Sequence, residues 1–266
     1  MSRAPSPLLA PDEPPAFDVV EGRGSSPYVI LCDHAARRVP RALAGLGLPE
    51  SELERHIAWD IGAAALARCI AERLEGWLIV QNYSRLVIDC NRTLGHRDSI
   101  ATRSEDTAIP GNQNLSAEQV TQRAATLFEP YHARIREELD RRAAAGEDPV
   151  LVFVHSFTPV FRGVSRPWHA GVLYHLDTRL ALPLLAALRA EPSLVIGENE
   201  PYAGSPLTDY GLVEHAERRG LRYVELEVRQ DLLSDGAGAR AWGDRLARLL
   251  AEAARRSRLS ETAPAK

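Results

Sequence analysis

Tyr28-Val-Ile-Leu-Cys-Asp-His34, then Asp60–Leu74 (DIGAAALARCIAERL), then Trp77-Leu-Ile-Val-Gln81 are the pieces whose order decides the fold. The first and third are short, nearly continuous apolar runs rich in β-branched residues, the pattern of strands buried on both faces. The middle piece opens on Asp60, a favourable N-cap, and then repeats apolar residues at three- and four-residue spacing, so it reads as an amphipathic helix. Working outward, Leu86–Asp89, Val150–His155, Gly171–His175, Leu194–Gly197 and Arg222–Val228 read as further strands. Ser116–Ala145 reads as a long helix opened by a Ser116/Gln119 capping box. Thr178–Ala190, Leu207–Arg219 and Ala239–Arg255 supply the remaining helices. This alternation predicts a three-layer α/β/α sandwich around a mixed, largely parallel sheet. Residues 1–20 and 257–266, rich in Pro, Ser and Ala, read as flexible tails around a single α/β domain spanning 21–256.

The whole chain has 266 residues, 45% hydrophobic and 26% charged, with a formal charge of −4. A chain of this length buries a full core without disulfides or structural metals. Its near-neutral balance provides no basic field for a phosphate backbone, which excludes nucleic acid as the principal partner. No run approaches the roughly 20 apolar residues of a membrane-spanning helix, and the N-terminus has no continuous apolar leader, so the expectation is a cytoplasmic protein. Cys32, Cys69 and Cys90 are odd in number and lack CxxC spacing, and read as buried free thiols. Composition leaves the oligomeric state open, a homo-oligomer included.

Polar residues gather at the ends of the predicted strands, where α/β folds place their sites. His34 leaves the run YVILC and His155 leaves VLVFV; with carboxylates nearby, two such imidazoles suit a zinc ion with an open position. Asp33 and Asp60 are the acids in reach. In Asn82–Arg92, the residues Arg85, Asp89, Asn91 and Arg92 stand at the two ends of a short apolar run, and guanidinium groups there grip carboxylates or stabilise an oxyanion. In Tyr223–Asp231, strand alternation places Glu225, Glu227 and Arg229 on one face, and Glu227 is suited to take a proton from water. Gly197–Gly204, with Glu200 and Tyr202, reads as a loop lining a substrate pocket, and Thr93–Leu115 as a lid or binding loop. His56, His132 and His215 read as surface residues of helices. No GxGxxG, Walker A, GxSxG or HExxH motif is present.

Taken in order, CDHAARRVP, WDIGA, SRLVIDCNR, VHSFTP, GENEPYAG and ELEVRQDLL resemble the N-formylglutamate amidohydrolase family, itself distantly similar to zinc carboxypeptidases. The resemblance covers roughly residues 20–250 and implies a phosphorylase/hydrolase-like fold and a zinc-dependent amide hydrolase. It implies His34 and His155 as Zn2+ ligands, and Asp60 as the third, because Arg37 stands where the carboxypeptidase pattern has an acid. It further implies Arg85 as the group that polarises the scissile carbonyl. Asn91 and Arg92 correspond to the pair that receives the substrate carboxylate, and Glu227 to the general base. The implied substrate is a small N-acyl amino acid, foremost N-formyl-L-glutamate, cleaved to formate and glutamate in a histidine-degradation route. Arg103, Arg162 or Arg166 would meet its side chain. The alternatives are a zinc deacylase for another N-acyl amino acid or peptide, and a non-catalytic binding protein whose metal site has decayed.

Overall fold

The computed structural model describes residues 7–262. Seven strands, β1 (Phe17–Val20), β2 (Tyr28–Cys32), β3 (Trp77–Gln81), β4 (Val150–Phe157), β5 (Ala170–Leu173), β6 (Ile196–Glu198) and β7 (Arg222–Arg229), form one sheet in the order β1-β3-β2-β4-β7-β5-β6. β3, β2, β4 and β7 are parallel neighbours. β1 is antiparallel to β3, β5 is antiparallel to β7, and β6 is parallel to β5, so the expected mixed sheet is found.

Four longer helices are α1 (Ala63–Leu74), α2 (Glu129–Ala144), α3 (Ala181–Arg189) and α4 (Gly236–Thr262). The pleat sorts the strand residues between two layers. Ile30, Cys32, Leu78, Val80, Val152, Val154, Val224 and Leu226 pack under α1, α3 and α4. The intervening Val29, Leu31, Ile79, Leu151, Phe153 and Tyr223 pack on the other face with α2, Leu86–Ile88 and Leu212. Each fully buried Leu or Ile contributes roughly 2 kcal/mol of transfer free energy, so covering both faces is what makes the sandwich stable. The three cysteines are free and buried. Among the described residues no helix is long and apolar enough to cross a membrane.

Several expectations are corrected. Leu86–Asp89 is not a strand but a buried turn. Its backbone needs no ladder, because side chains reach in: Asn112 Nδ2 donates to the Leu86 carbonyl and Arg123 Nη1 to that of Val87, while Asp89 N donates to the Ser99 carbonyl. Leu207–Arg219 is helical only from residue 210 on, through the π-helical turn Leu212–Ala216 and the 3-10 turn Glu217–Arg219. Neither end is a loose tail where it is described. Leu8 is buried, Phe17–Val20 pairs along the sheet edge, and α4 continues past residue 257 with Ser257 buried. Residues 1–6 and 263–266 of the expected tails lie outside the described residues. The Ser116/Gln119 capping box is present, opening the helix Ala117–Arg123 that runs through a π-turn into α2.

His132 and His215 are not on the surface; they are 1% and 0% exposed. His132 Nε2 donates to the Cys90 carbonyl, which leaves Nδ1 to accept from His215 Nε2 at 2.8 Å. Burial pushes His132 down to about 3 and His215 well below its ordinary value. A depressed folded-state pKa means stability is fully present above about 6.5 and is lost as pH falls toward 3, because the unfolded chain binds protons that the native pair refuses. One such histidine costs roughly 2–3 kcal/mol between pH 6.5 and 4.5. Urea unfolding of the wild type should therefore lose stability over that range. His132→Gln, whose amide still offers the Cys90 carbonyl a donor, should lose less; equal losses would remove the pair as the cause.

Candidate functional site

Three chain segments meet at the ends of neighbouring strands. β2 delivers Asp33 and His34 just past Cys32, β4 carries His155, and β7 carries Glu225 and Glu227, with Glu227 directly opposite His155 in the parallel register. Beyond Glu227, β5 presents Gly171, where a Cβ would sit 1.9 Å from the Glu200 carbonyl oxygen. Glycine there lets the 198–204 loop close over the sheet and bring Tyr202 to the site. Asp60 arrives before α1, with its amide bonded to the His34 carbonyl. Its side chain caps nothing: Gly62, at φ 84° and with Leu233 where a Cβ would be, is the N-cap.

Each histidine is oriented by a carboxylate. His34 Nε2 donates to Asp89 Oδ1 at 2.7 Å, and His155 Nδ1 donates to Asp60 Oδ2 at 2.8 Å. A carboxylate only accepts, so in the neutral imidazoles the lone pairs lie on His34 Nδ1 and His155 Nε2. Both atoms are buried without a hydrogen-bond partner, and so is Asp33 Oδ1, 3.4 Å from His155 Nε2. Donor atoms of Asp33, His34 and His155 lie within 4.8 Å of one another, the grouping that can hold a metal ion among the described residues. Two imidazoles and a carboxylate, each histidine backed by its own acid, fit a divalent cation in donor chemistry and in outer support.

Asp60, expected as the third ligand, accepts from His155 Nδ1 and lies 3.4 Å from His34 Nδ1. Arg85 Nε and Nη2 both reach Asp89 Oδ2, at 3.1 and 2.7 Å, and Nη1 lies 3.6 Å from Asp60. Arg37 is turned away, paired with Glu50 and Glu54.

The electrostatics are those of a wall too rich in acid. Asp33, Asp60, Asp89, Asp209, Glu225 and Glu227 are all buried, facing the guanidiniums of Arg85 and Arg92. Burial would raise Asp89, but Arg85 and His34 hold it well below the carboxylate range, and His34 and His155 do the same for Asp60. Burial would lower His155, yet Asp33 and Asp60 carry it well above its ordinary value. Glu227 is pushed up to about 8 by burial, with Asp60 adding to the rise. Burial raises Glu225 well above its normal range, and Asp209 and Glu227 add to it.

The cavity above these groups has a volume of 220 Å³ and is lined by His34, Asp60, Arg85, Asn91, Arg92, His155, Tyr202 and Glu227 among others. His34, Asp60, Arg85, Asn91, Arg92, His155, Tyr202, Glu225 and Glu227, singled out from the sequence, thus line one cavity; Arg162, stacked on Phe161, and Arg229, paired with Asp231, do not, and Glu200 is exposed and contributes its backbone to the fit over Gly171. Asn91 spends its side chain tying Asp209 and the Gly211 amide. Arg92 donates to the Thr208 carbonyl. Sequence reasoning missed Asp209, Thr208 and His56 in this wall. An adjoining cavity of 320 Å³ shares His56, Arg85, Arg92 and Tyr202 and adds Asp98, Arg103 and Glu105 from the 93–115 loop. Arg166 lies behind Tyr202, bonded to its hydroxyl at 3.0 Å and stacked on Phe161.

The sequence profile of the N-formylglutamate amidohydrolase family matches residues 26–234. Among solved structures, a gene product of Agrobacterium tumefaciens is similar at 34% identity, with a TM-score of 0.89, over 93% of this chain and 98% of that chain. The N-formylglutamate amidohydrolase of Ralstonia eutropha JMP134 is similar at 17% identity, with a TM-score of 0.67, over 92% of this chain and 98% of that one; this likeness speaks to the fold alone. No curated protein matches the chain.

Proposed function

The chain belongs to the N-formylglutamate amidohydrolase family, and from that premise we propose that it is a zinc-dependent amidohydrolase. Its substrate is an N-acyl amino acid, first of all N-formyl-L-glutamate, cleaved to formate and L-glutamate. The observation that supports this reading is the convergence of three buried, unpartnered donors, Asp33 Oδ1, His34 Nδ1 and His155 Nε2. Those residues would hold the ion, with Asp33 in the place first expected of Asp60, while Asp60 and Asp89 fix the two imidazoles. A divalent cation so held supplies a Lewis acid that polarises a carbonyl and lowers the pKa of water from about 15.7 toward 7.

The chain's own residues do the rest. Glu227, beside His155 in the register and with Oε2 unpartnered, takes the proton of the attacking water and returns it to the departing amine. The burial that raises Glu227 suits both halves of that task, since a group titrating near neutrality can accept and give back a proton. Arg85, itself held by Asp89, keeps His34 aligned and presents positive charge where the oxyanion develops. Arg92, with Asn91 stiffening the 208–211 segment beside it, receives the α-carboxylate and so fixes which amide is presented. Arg103, in the adjoining cavity, faces the distal carboxylate of a glutamyl side chain. At 220 Å³ the inner cavity is smaller than the roughly 300 Å³ lower bound of drug-sized pockets, in keeping with a compact substrate.

Amine release from N-formyl-L-glutamate, N-formyl-L-leucine and N-acetyl-L-glutamate, with formate from the first two and acetate from the third, tests the reading. Fastest turnover of the first supports both acyl group and side chain. Preference for another member moves the substrate to a different N-acyl amino acid, and no hydrolysis of any of them rejects the proposal.

A further inference from the structure

On the reading of these cavities as the site of an N-acyl amino acid hydrolase, we propose that Arg166 is a positioning residue: it holds the aromatic wall that the two cavities share and leaves the phenolic proton of Tyr202 for the substrate. Arg166 itself lines neither cavity. It ends the hairpin whose strands are Val160–Phe161 and Val164–Ser165, which its amide closes by donating to the Pro159 carbonyl. Its guanidinium carbon lies 4.6 Å from the ring centre of Phe161, 4.8 Å from that of Tyr202 and 5.9 Å from that of Phe157. Phe157 lines the inner cavity, Phe161 the outer one and Tyr202 both. One cation is thus packed by three rings that belong to the walls, and ring faces attract a guanidinium most strongly where water is excluded.

Packing alone does not call for a charge here. Arg166 is 9% exposed, and no carboxylate pairs with it among the described residues. A buried charge without a counterion is costly, and an apolar side chain would fill the same space without that cost. What the guanidinium adds is a donor: Nη1 donates to the Tyr202 hydroxyl at 3.0 Å. Arginine has no acceptor, so the hydroxyl takes this bond on its oxygen and keeps its own proton.

No group among the described residues accepts that proton. Arg85 and Arg92, which share both cavities with Tyr202, are donors too. The acceptor is then a substrate oxygen at the junction of the cavities, and a hydroxyl that accepts from a cation donates more strongly. Tyr202 is 44% exposed, so the stack and this bond do for its ring what core packing does for a buried one.

A double-mutant cycle on Arg166→Met and Tyr202→Phe, with N-formyl-L-glutamate as substrate and circular dichroism to check the fold, tests the pair. Each single variant should raise KM about tenfold, the size of one lost hydrogen bond, with kcat within about threefold of the wild type, because the bond is made to substrate and transition state alike. The double variant should be no worse than the poorer of the two single ones, since Arg166 acts through Tyr202. KM effects that multiply, an unchanged KM in Arg166→Met, or a loss that falls on kcat alone overturns the proposal. If Arg166→Met does not fold, Arg166→Lys takes its place, since lysine keeps the charge but not the planar stack: a KM rise that vanishes in the Tyr202→Phe background supports the proposal, and an equal rise in both backgrounds overturns it. A wild type that hydrolyses no N-acyl amino acid rejects the substrate reading, and the pair is then read without substrate. The probe is the ultraviolet titration of the Tyr202 phenol, taken as the difference between each protein and the same protein carrying Tyr202→Phe. Arg166→Met should move that titration up by about one pH unit, because a cation donating to a phenolate favours the ionised form; an unmoved titration overturns the proposal.

Discussion

Glu227→Gln should lower kcat by a factor of about 10²–10⁴ while leaving the fold and the bound cation in place. The reasoning starts from the strand. Glu227 sits on β7 opposite His155, buried, with one oxygen unpartnered and aimed into the 220 Å³ cavity. Glutamine has the same shape and can still hydrogen-bond, so packing is preserved; only the ability to take a proton is lost. A base acts in its ionised form, so wild-type kcat/KM should fall as pH drops through the pKa of Glu227. That group titrates at about 8 with the site as it stands, and a dication close by draws it lower. The acid limb should therefore lie below pH 8 in the loaded enzyme and be absent from the residual activity of the variant. Near-full activity in Glu227→Gln, or an unchanged acid limb, would remove it as the base.

The second large effect concerns the third ligand. Asp33→Asn should weaken zinc more than about 100-fold, because the amide replaces the carboxylate whose unpartnered Oδ1 faces His155 Nε2 at 3.4 Å. Asp60→Asn should cost less, about 10–100-fold, as loss of a carboxylate behind a metal-bound histidine does, since an asparagine oxygen still accepts from His155 Nδ1. Competition against a chelator of known affinity measures both. If Asp60→Asn abolishes binding and Asp33→Asn does not, the ligand expected from the sequence is restored and Asp33 becomes a bystander.

The histidines and the Asp60 problem show what the sequence carries and where it stops. YVILC and VLVFVHSF are apolar enough to be strands in any context, so His34 and His155 could be placed at strand ends directly. The same was true of Glu227, through strand alternation. Asp60 looked like an N-cap because an acid before an amphipathic run is one in most proteins; only the third dimension shows it reaching His155 across 95 positions. Leu86–Asp89 looked like a strand because its apolar residues are buried, and nothing local reveals that Asn112 and Arg123 satisfy its backbone from afar. His132 and His215 were illegible for a related reason, each being the partner of the other over 83 positions. Asp209 stands near the start of Leu207–Arg219, a stretch read only as a helix, and nothing in that reading sends its side chain to the wall.

The most direct test of the central claim is to strip the protein with a chelator and add zinc back in steps while following formate release from N-formyl-L-glutamate. The account predicts that the stripped protein releases formate at no more than about 1% of the restored rate, a loss of the size that removing a Lewis acid should produce, and that activity saturates near one zinc per chain. Formate release that is undiminished in fully stripped protein would contradict it.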